Sequence, residues 1–248
     1  MTLTVAVIGA AGRMGSEVVA AIDGADDLIL GATYGSGDTL GDFGGADVAV
    51  DFTTPDVTVD HVVQAIDRGV HMVVGTTGWT DERLARVRDA LASTPECGVV
   101  IAPNFAIGAV LTMRFAEQAA RFYESVEIVE LHHPDKVDAP SGTAVRTAQR
   151  IADARAAAGV GPGPDATTSG IQGARGATVD GVPVHAVRLR GLVAHEEVLF
   201  GAAGETLTLR HDSYDRKSFM PGVLAAVRAV PTRPGVTIGL DAVLGLDT

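Results

Sequence analysis

The chain has 248 residues, 46% of them hydrophobic and 20% charged, which is enough apolar material for one large domain or two small ones and too much for a disordered chain. A net charge of −12 argues against a nucleic-acid or anionic-membrane surface, and no apolar run approaches the length of a membrane span. The single cysteine, Cys97, excludes an intrachain disulfide, and the N-terminus reads as a strand rather than a signal peptide, so a soluble cytoplasmic protein is expected.

Leu3 to Ile8 is a short β-branched run with the pattern of a buried strand, and Gly9 to Gly15 (GAAGRMG) follows as a turn. Ser16 to Ile22 has helical spacing, and Gly24 ends it. Further strands are predicted over Leu28 to Thr33, Val48 to Phe52, Val70 to Val74 and Gly98 to Ile101. Between them, one helix opens at Pro55 and Asp56 and runs to about Arg68. Another starts at the N-cap Thr80, with Asp81 and Glu82 in its first turn. Strands separated by helices of this length predict a doubly wound parallel sheet, in which ligands bind beyond the carboxyl ends of the strands. The polar turns at 9–15, 52–55, 75–78 and 102–105 all lie there.

The alternation then stops. A long helix is predicted over Ile107 to Tyr123, a strand over Val126 to Leu131, and a helix from Ser141 to about Ala158. Gly159 to Gly176 is a polar loop. Val182 to Leu189 and Glu196 to Asp212 read as longer strands, the second broken by a hairpin turn at Ala203-Gly204. Consecutive strands without intervening helices predict a separate α+β domain. A helix over Ser218 to Val230 and a strand over Gly235 to Leu240 are expected to return to the first domain.

Three sites carry chemistry. The glycine turn follows a strand and opens a helix, so its backbone can approach a pyrophosphate and the helix start offers free N–H groups. An NAD site usually has an acid at the end of the second strand to hold the ribose 2′-OH, but here that stretch reads Leu30-Gly31-Ala32-Thr33-Tyr34. With Arg13 in the turn, NADPH is expected to serve at least as well as NADH. The second site is Glu130 to Asp138 (ELHHPDKVD). His132 and His133 bring proton-transfer capacity near neutral pH, and Lys136 brings a compact positive charge. Only Lys136 and Lys217 are lysines among 19 basic residues, which suggests places where arginine would not serve. The third site, Ser141-Gly142-Thr143, reads as a helix start whose N–H groups and hydroxyls suit a carboxylate. No metal-ligand cluster is expected. On these residues alone, another dehydrogenase acting on an amino acid or semialdehyde, and a non-catalytic nucleotide sensor, both stay open.

GAAGRMG, DFTTP, GTTGW, APNFAIGAVL and ELHHPDKVDAPSGTA, followed by Arg190-Gly191-Leu192 and GETLTLRHDSYDRKSFMPGVL, closely resemble the dihydrodipicolinate reductase family, in that order and nearly end to end. The resemblance implies an enzyme of lysine and diaminopimelate biosynthesis. It would reduce 4-hydroxy-tetrahydrodipicolinate, through the cyclic dihydrodipicolinate imine, by hydride transfer from NADPH or NADH to ring carbon C4. By the same resemblance His132 is the proton donor and Lys136 its partner in catalysis and substrate binding. His133, Gly142 and Thr143 contact the dicarboxylate substrate, beside the cap Ser141. Gly9, Ala10, Ala11, Gly12, Arg13 and Met14, then Gly75, Thr76 and Thr77, then Ala102, Pro103, Asn104 and Phe105 contact the cofactor. Thr33 stands where many members carry an acid. The implied fold is a Rossmann-like domain over 1–105 and 213–248, with a substrate-binding and oligomerisation domain over 106–212 whose sheet builds a homotetramer.

Overall fold

Short valine-rich strands that end in polar turns build the first half of the chain. In the computed structural model, which describes residues 2–246, the first elements are β1 (Leu3–Ile8), α1 (Gly15–Asp23), β2 (Leu28–Tyr34), β3 (Val48–Asp51), α2 (Thr58–Ile66), β4 (His71–Val74), α3 (Asp81–Leu91) and β5 (Gly98–Ile101). They are followed by α4 (Ile107–Ala119), β6 (Ser125–His132), α5 (Gly142–Ala157), β7 (Ala177–Val179), β8 (Val182–Arg188), β9 (Ala194–Ala202), β10 (Glu205–Ser213), α6 (Met220–Ala229) and β11 (Gly235–Ile238). The chain divides into two compact units, one reaching to Ile107 and resuming at Arg216, the other Gly108–Asp215. Met1, Asp247 and Thr248, the outer ends of the expected first domain, lie outside the described residues.

The first unit holds a six-stranded parallel sheet in the order β11-β5-β4-β3-β1-β2. Every residue of β3 and β5 is buried, as a central strand covered on both faces requires. The strand order reverses between β1 and β3, so the glycine turn after β1 sits where such sheets bind ligands. β11 closes the far edge on β5, which places the C-terminal strand in the first sheet. Thr80 caps α3 as its sequence predicts, with its hydroxyl accepting from the Arg83 N–H. Two helices are shorter than their spacing predicts. Pro55 to Val57 form a turn closed onto Thr54, so α2 starts at Thr58. α4 ends at Ala119, where the Phe122 N–H turns back to the Ala119 carbonyl.

The second unit is a mixed sheet in the order β10-β9-β6-β8-β7. β7 is an addition to the sequence reading. It pairs with β8 across Asp180-Gly181, both at positive φ (47° and 86°), the two-residue turn that Asp-Gly favours. Along β6, Val126, Ile128 and Glu130 are buried while Ser125, Glu127, Val129 and Leu131 are half-buried. The buried row meets Ala144, Ala148 and Ile151 of α5. Glu130 therefore continues an apolar stripe, and Glu196 lies opposite it on β9.

Glu196 is 6% exposed; its Oε1 accepts from the Thr147 hydroxyl at 2.7 Å, and its Oε2 is buried without a hydrogen-bond partner. Burial pushes its carboxyl up to about 7, against the pull of Thr147 and with the help of the Glu130 charge. A raised acid favours the folded state below its ordinary value of 4.5, and that contribution is lost as pH rises through about 7. The contribution is on the order of 3 kcal/mol. Glu196→Gln stays neutral at every pH. Its stability relative to the wild type, measured by denaturant unfolding, is therefore predicted to rise by about that amount from pH 4.5 to pH 8. A stability difference that does not change with pH would contradict this description of Glu196.

Candidate active site

In the first unit the glycine turn packs so tightly that a side chain is excluded at Gly9 and at Gly15. Gly9 has φ 82°, and a Cβ there would stand 2.9 Å from the Phe52 carbonyl oxygen. A Cβ on Gly15 would lie 2.0 Å from the Gly9 carbonyl oxygen, so α1 rests directly on the turn. The Gly9 and Ala10 N–H groups both donate to the Tyr34 carbonyl, which ties the turn to the end of β2. A Cβ on Gly75 would lie 2.0 Å from an edge carbon of the Phe52 ring. Phe52 in turn packs on Phe105 with ring centroids 5.7 Å apart. Asn104 accepts the Ala106 N–H at 2.8 Å, while Ala102 is buried and Pro103 exposed beside it.

Beneath these turns sits Asp51, with no exposed surface. One of its oxygens takes the Thr53 N–H at 2.8 Å, the Thr53 hydroxyl at 2.6 Å and the Thr76 hydroxyl at 3.3 Å. The other takes the Thr58 hydroxyl and lies 2.9 Å from His61 Nδ1. The 52–55 and 75–78 turns are thus held by one carboxylate. Two cavities open around them. One, of about 310 Å³, is lined by Arg13, Met14, Phe52, Pro55, Thr76 and Thr77. The other, of about 700 Å³, is lined by Gly9, Ala11, Gly12, Phe52 and the Gly35-to-Asp38 turn.

Arg13 lines the smaller cavity, whereas Thr33 is exposed and lines neither. The larger cavity instead contains Asp38, whose Oδ2 accepts the Gly35 N–H at 2.6 Å. Sequence reasoning missed this carboxylate because it looked at the strand end. The Gly-Ser-Gly-Asp turn that folds the acid back was the available signal. A glycine cradle filled by any Cβ, with cavities on either side of Phe52, fits a dinucleotide.

In the second unit His132 is the last residue of β6. Its Nδ1 lies 2.6 Å from Glu130 Oε2. Glu130, with no exposed surface, also accepts the Ser141 N–H at 2.9 Å on Oε1 and a two-pronged Arg188 guanidinium at 2.7 and 2.8 Å. Burial would raise the Glu130 carboxyl, but the bonds from His132, Arg188 and Ser141 outweigh it and hold it at about 2. Glu130 is therefore an acceptor only, and the neutral His132 ring carries its proton on Nδ1.

Ser141 caps α5, its hydroxyl accepting from the Ala144 N–H at 3.2 Å, as the sequence predicts. The N–H groups expected to stand free there are engaged, however. Ser141 donates to Glu130, and Gly142 donates to Asp138 Oδ2 at 3.2 Å. The other Asp138 oxygen holds the Lys136 ammonium at 2.6 Å. Burial raises the Asp138 carboxyl, but the Lys136 bond and the backbone donors keep it below its usual range. Nothing lies within 4 Å of where a Gly142 Cβ would stand, so this turn is open on that side. His133 is half-buried, and its carbonyl accepts the Lys136 N–H; Thr143 lies in the first turn of α5. Sequence reasoning missed Glu130, Arg188 and Asp138 as working parts. An acid in phase with Val126 and Ile128, two residues before His132, was the signal for the first. Among the described residues no cluster of three or more His, Cys, Asp or Glu is placed to hold a metal ion. No helix among them is long and apolar enough to cross a membrane.

The family model described as dihydrodipicolinate reductase, N-terminus, matches residues 3–105, and that described as dihydrodipicolinate reductase, C-terminus, matches residues 108–244. The chain is 62% identical over 248 residues to a 4-hydroxy-tetrahydrodipicolinate reductase of Streptomyces griseus, covering 99% of each. It is also 62% identical over 245 residues to one of Cutibacterium acnes, covering 99% of this chain and 100% of that one. Among solved structures, a dipicolinate-bound dihydrodipicolinate reductase from Paenisporosarcina superposes with a TM-score of 0.85 at 39% identity, over 98% of this chain and 99% of that one. A probable dehydrogenase from Thermotoga maritima, 12% identical with a TM-score of 0.60, shares the fold. The chain belongs to the dihydrodipicolinate reductase family.

Proposed function

We infer that this enzyme reduces 4-hydroxy-tetrahydrodipicolinate, by way of the cyclic dihydrodipicolinate imine, to tetrahydrodipicolinate, with NADH or NADPH as reductant. The first unit is read as the cofactor domain. Gly9 to Met14 would hold the pyrophosphate, with Gly75 to Thr77 and Ala102 to Phe105 completing the site. The second unit is read as the substrate and oligomerisation domain of a cytoplasmic homotetramer. The half-buried face of its sheet, with Val129 and Leu131, is available for that assembly. The observation that carries the substrate assignment is Asp138. Its carboxylate bridges the Lys136 ammonium and the Gly142 N–H, so these two groups are already arranged to bind a carboxylate. A substrate carboxylate takes over both contacts, with Thr143 and His133 beside them.

When bound, the nicotinamide cofactor supplies a hydride. Hydride addition at carbon C4 of the conjugated imine would move electrons toward the ring nitrogen, and a proton would have to follow. His132 delivers that proton from Nε2, since Nδ1 is committed to Glu130. Lys136 holds the substrate's negative charge during the transfer. In the larger cavity, Asp38 would hold the ribose hydroxyls of the cofactor and supply the carboxylate that the end of β2 lacks.

Cofactor oxidation can be followed at 340 nm with substrate generated in situ from pyruvate and aspartate semialdehyde by the preceding synthase. Oxidation is predicted to require the synthase, and oxidation that ignores it would point to a different dehydrogenase. His132→Ala is expected to lower kcat by about 100-fold or more with cofactor affinity unchanged. Turnover surviving within a few fold would remove His132 from its role. Lys136→Ala is expected to lower kcat and raise the substrate KM together, and normal kinetics would refute its assignment. Asp38→Asn is expected to move the ratio of kcat/KM for NADPH over NADH upward by about tenfold. An unmoved ratio would separate Asp38 from cofactor choice.

A further inference from the structure

Glu130 touches neither of the groups proposed to hold substrate carboxylates, yet it has no exposed surface and is bound on every side. Its Oε2 lies 2.6 Å from His132 Nδ1, and its Oε1 accepts the Ser141 N–H at 2.9 Å. Arg188 closes the arrangement from β8, where it is paired in register with His132, and its second nitrogen also reaches the Asp138 carbonyl at 2.7 Å. One carboxylate thus joins the end of β6, the start of α5 and the loop between them. We propose that Glu130 is the positioning residue of the reaction. It fixes the tautomer and orientation of His132 as proton donor, and it locks that ring to the helix start at Ser141 that receives the substrate. The proposal rests on the assignment of His132 as proton donor.

An ionised carboxylate has no proton to give, so the short contact to Nδ1 requires N–H to point at Glu130. The acceptor and delivery duties of the ring are thereby divided between its two nitrogens. The same carboxylate stabilises the positive ring that has to exist before the proton leaves. Arg188 compensates for the charge of a carboxylate buried among Val126, Ile128 and α5. Opposite it, burial raises the Glu196 carboxyl and favours its neutral form, which limits repulsion between the two acids. A merely structural role, anchoring Arg188 and the α5 cap, would need the Arg188 and Ser141 contacts alone. The His132 contact is the part such a role leaves unexplained.

The test combines a spectrum with kinetics. In wild-type enzyme labelled with ¹⁵N-histidine, with His132 assigned through the spectrum of His132→Ala, the neutral ring is expected to be protonated at Nδ1. A ring protonated at Nε2 would overturn the proposal, and this reading needs no Glu130 variant to fold. Glu130→Gln keeps the shape and removes the charge. Its kcat is expected to fall about 100-fold, with KM for NADH within about twofold of wild type and the Nδ1-protonated signature lost. A folded Glu130→Gln enzyme with kcat within about threefold of wild type would equally overturn it. A rise in substrate KM alone, with kcat kept, would assign Glu130 to the Ser141 cap and not to His132. Absence of synthase-dependent turnover in the wild type itself would instead defeat the proposed function, and it would leave the tautomer result standing.

Discussion

A carboxylate taken out of water has to replace the hydration it loses, and at Glu130 the groups that replace it are the parts of the site. His132, Ser141 and Arg188 come from the end of β6, the cap of α5 and the end of β8. None of these segments is adjacent to the others in sequence except through the 133–140 loop. Their common ligand fixes His132 relative to the helix start, while the loop, which carries Lys136 and Asp138 in a more exposed setting, is tied to the same group through the Arg188 bond to the Asp138 carbonyl. Loss of the carboxylate would leave the Arg188 charge unpaired and two donors unsatisfied, which is why the constraint is strong.

The first unit repeats the device with different chemistry. Asp51 ends β3, is equally removed from solvent, and gathers hydroxyls from Thr53, Thr58 and Thr76 together with His61. Its ligands are mostly neutral, so it shapes turns without assembling a charged group. In both units a parallel or mixed sheet delivers an acid to its carboxyl edge, and the acid then organises loops that regular secondary structure leaves free. The glycines at 9, 15 and 75 complete the first arrangement by allowing backbone and ring to approach where a Cβ would collide.

Much of this was legible in the chain itself. Strands β1, β3, β4 and β5 follow from β-branched runs bounded by glycine or polar turns, and Thr80 and Ser141 announce their helices by the residue type a cap needs. The pairing of His132 with a nearby Lys136 marked the second site. What escaped is what depends on side chains meeting across a sheet or a turn. The Glu130–Arg188 pair is separated by 58 positions and becomes a contact only in the β6–β8 register. Asp38 lies four positions beyond the end of β2, and only the fold-back onto Gly35 brings it to the larger cavity. Asp138 lay within the second stretch without a role of its own, whereas the structure engages it with the Lys136 ammonium and the Gly142 N–H. β7 was missed although its Asp180-Gly181 turn was in plain sight, because three residues are too few to show a periodicity.

The proposed reduction takes its hydride from the nicotinamide cofactor and its proton from a histidine in exchange with solvent. Mass and NMR analysis of the product formed from NADH deuterated at its transferable position, in ordinary water, tests it most directly. One deuterium is expected at ring carbon C4, with only solvent-derived hydrogen at the site of protonation. Product that carries no deuterium at C4 would contradict it.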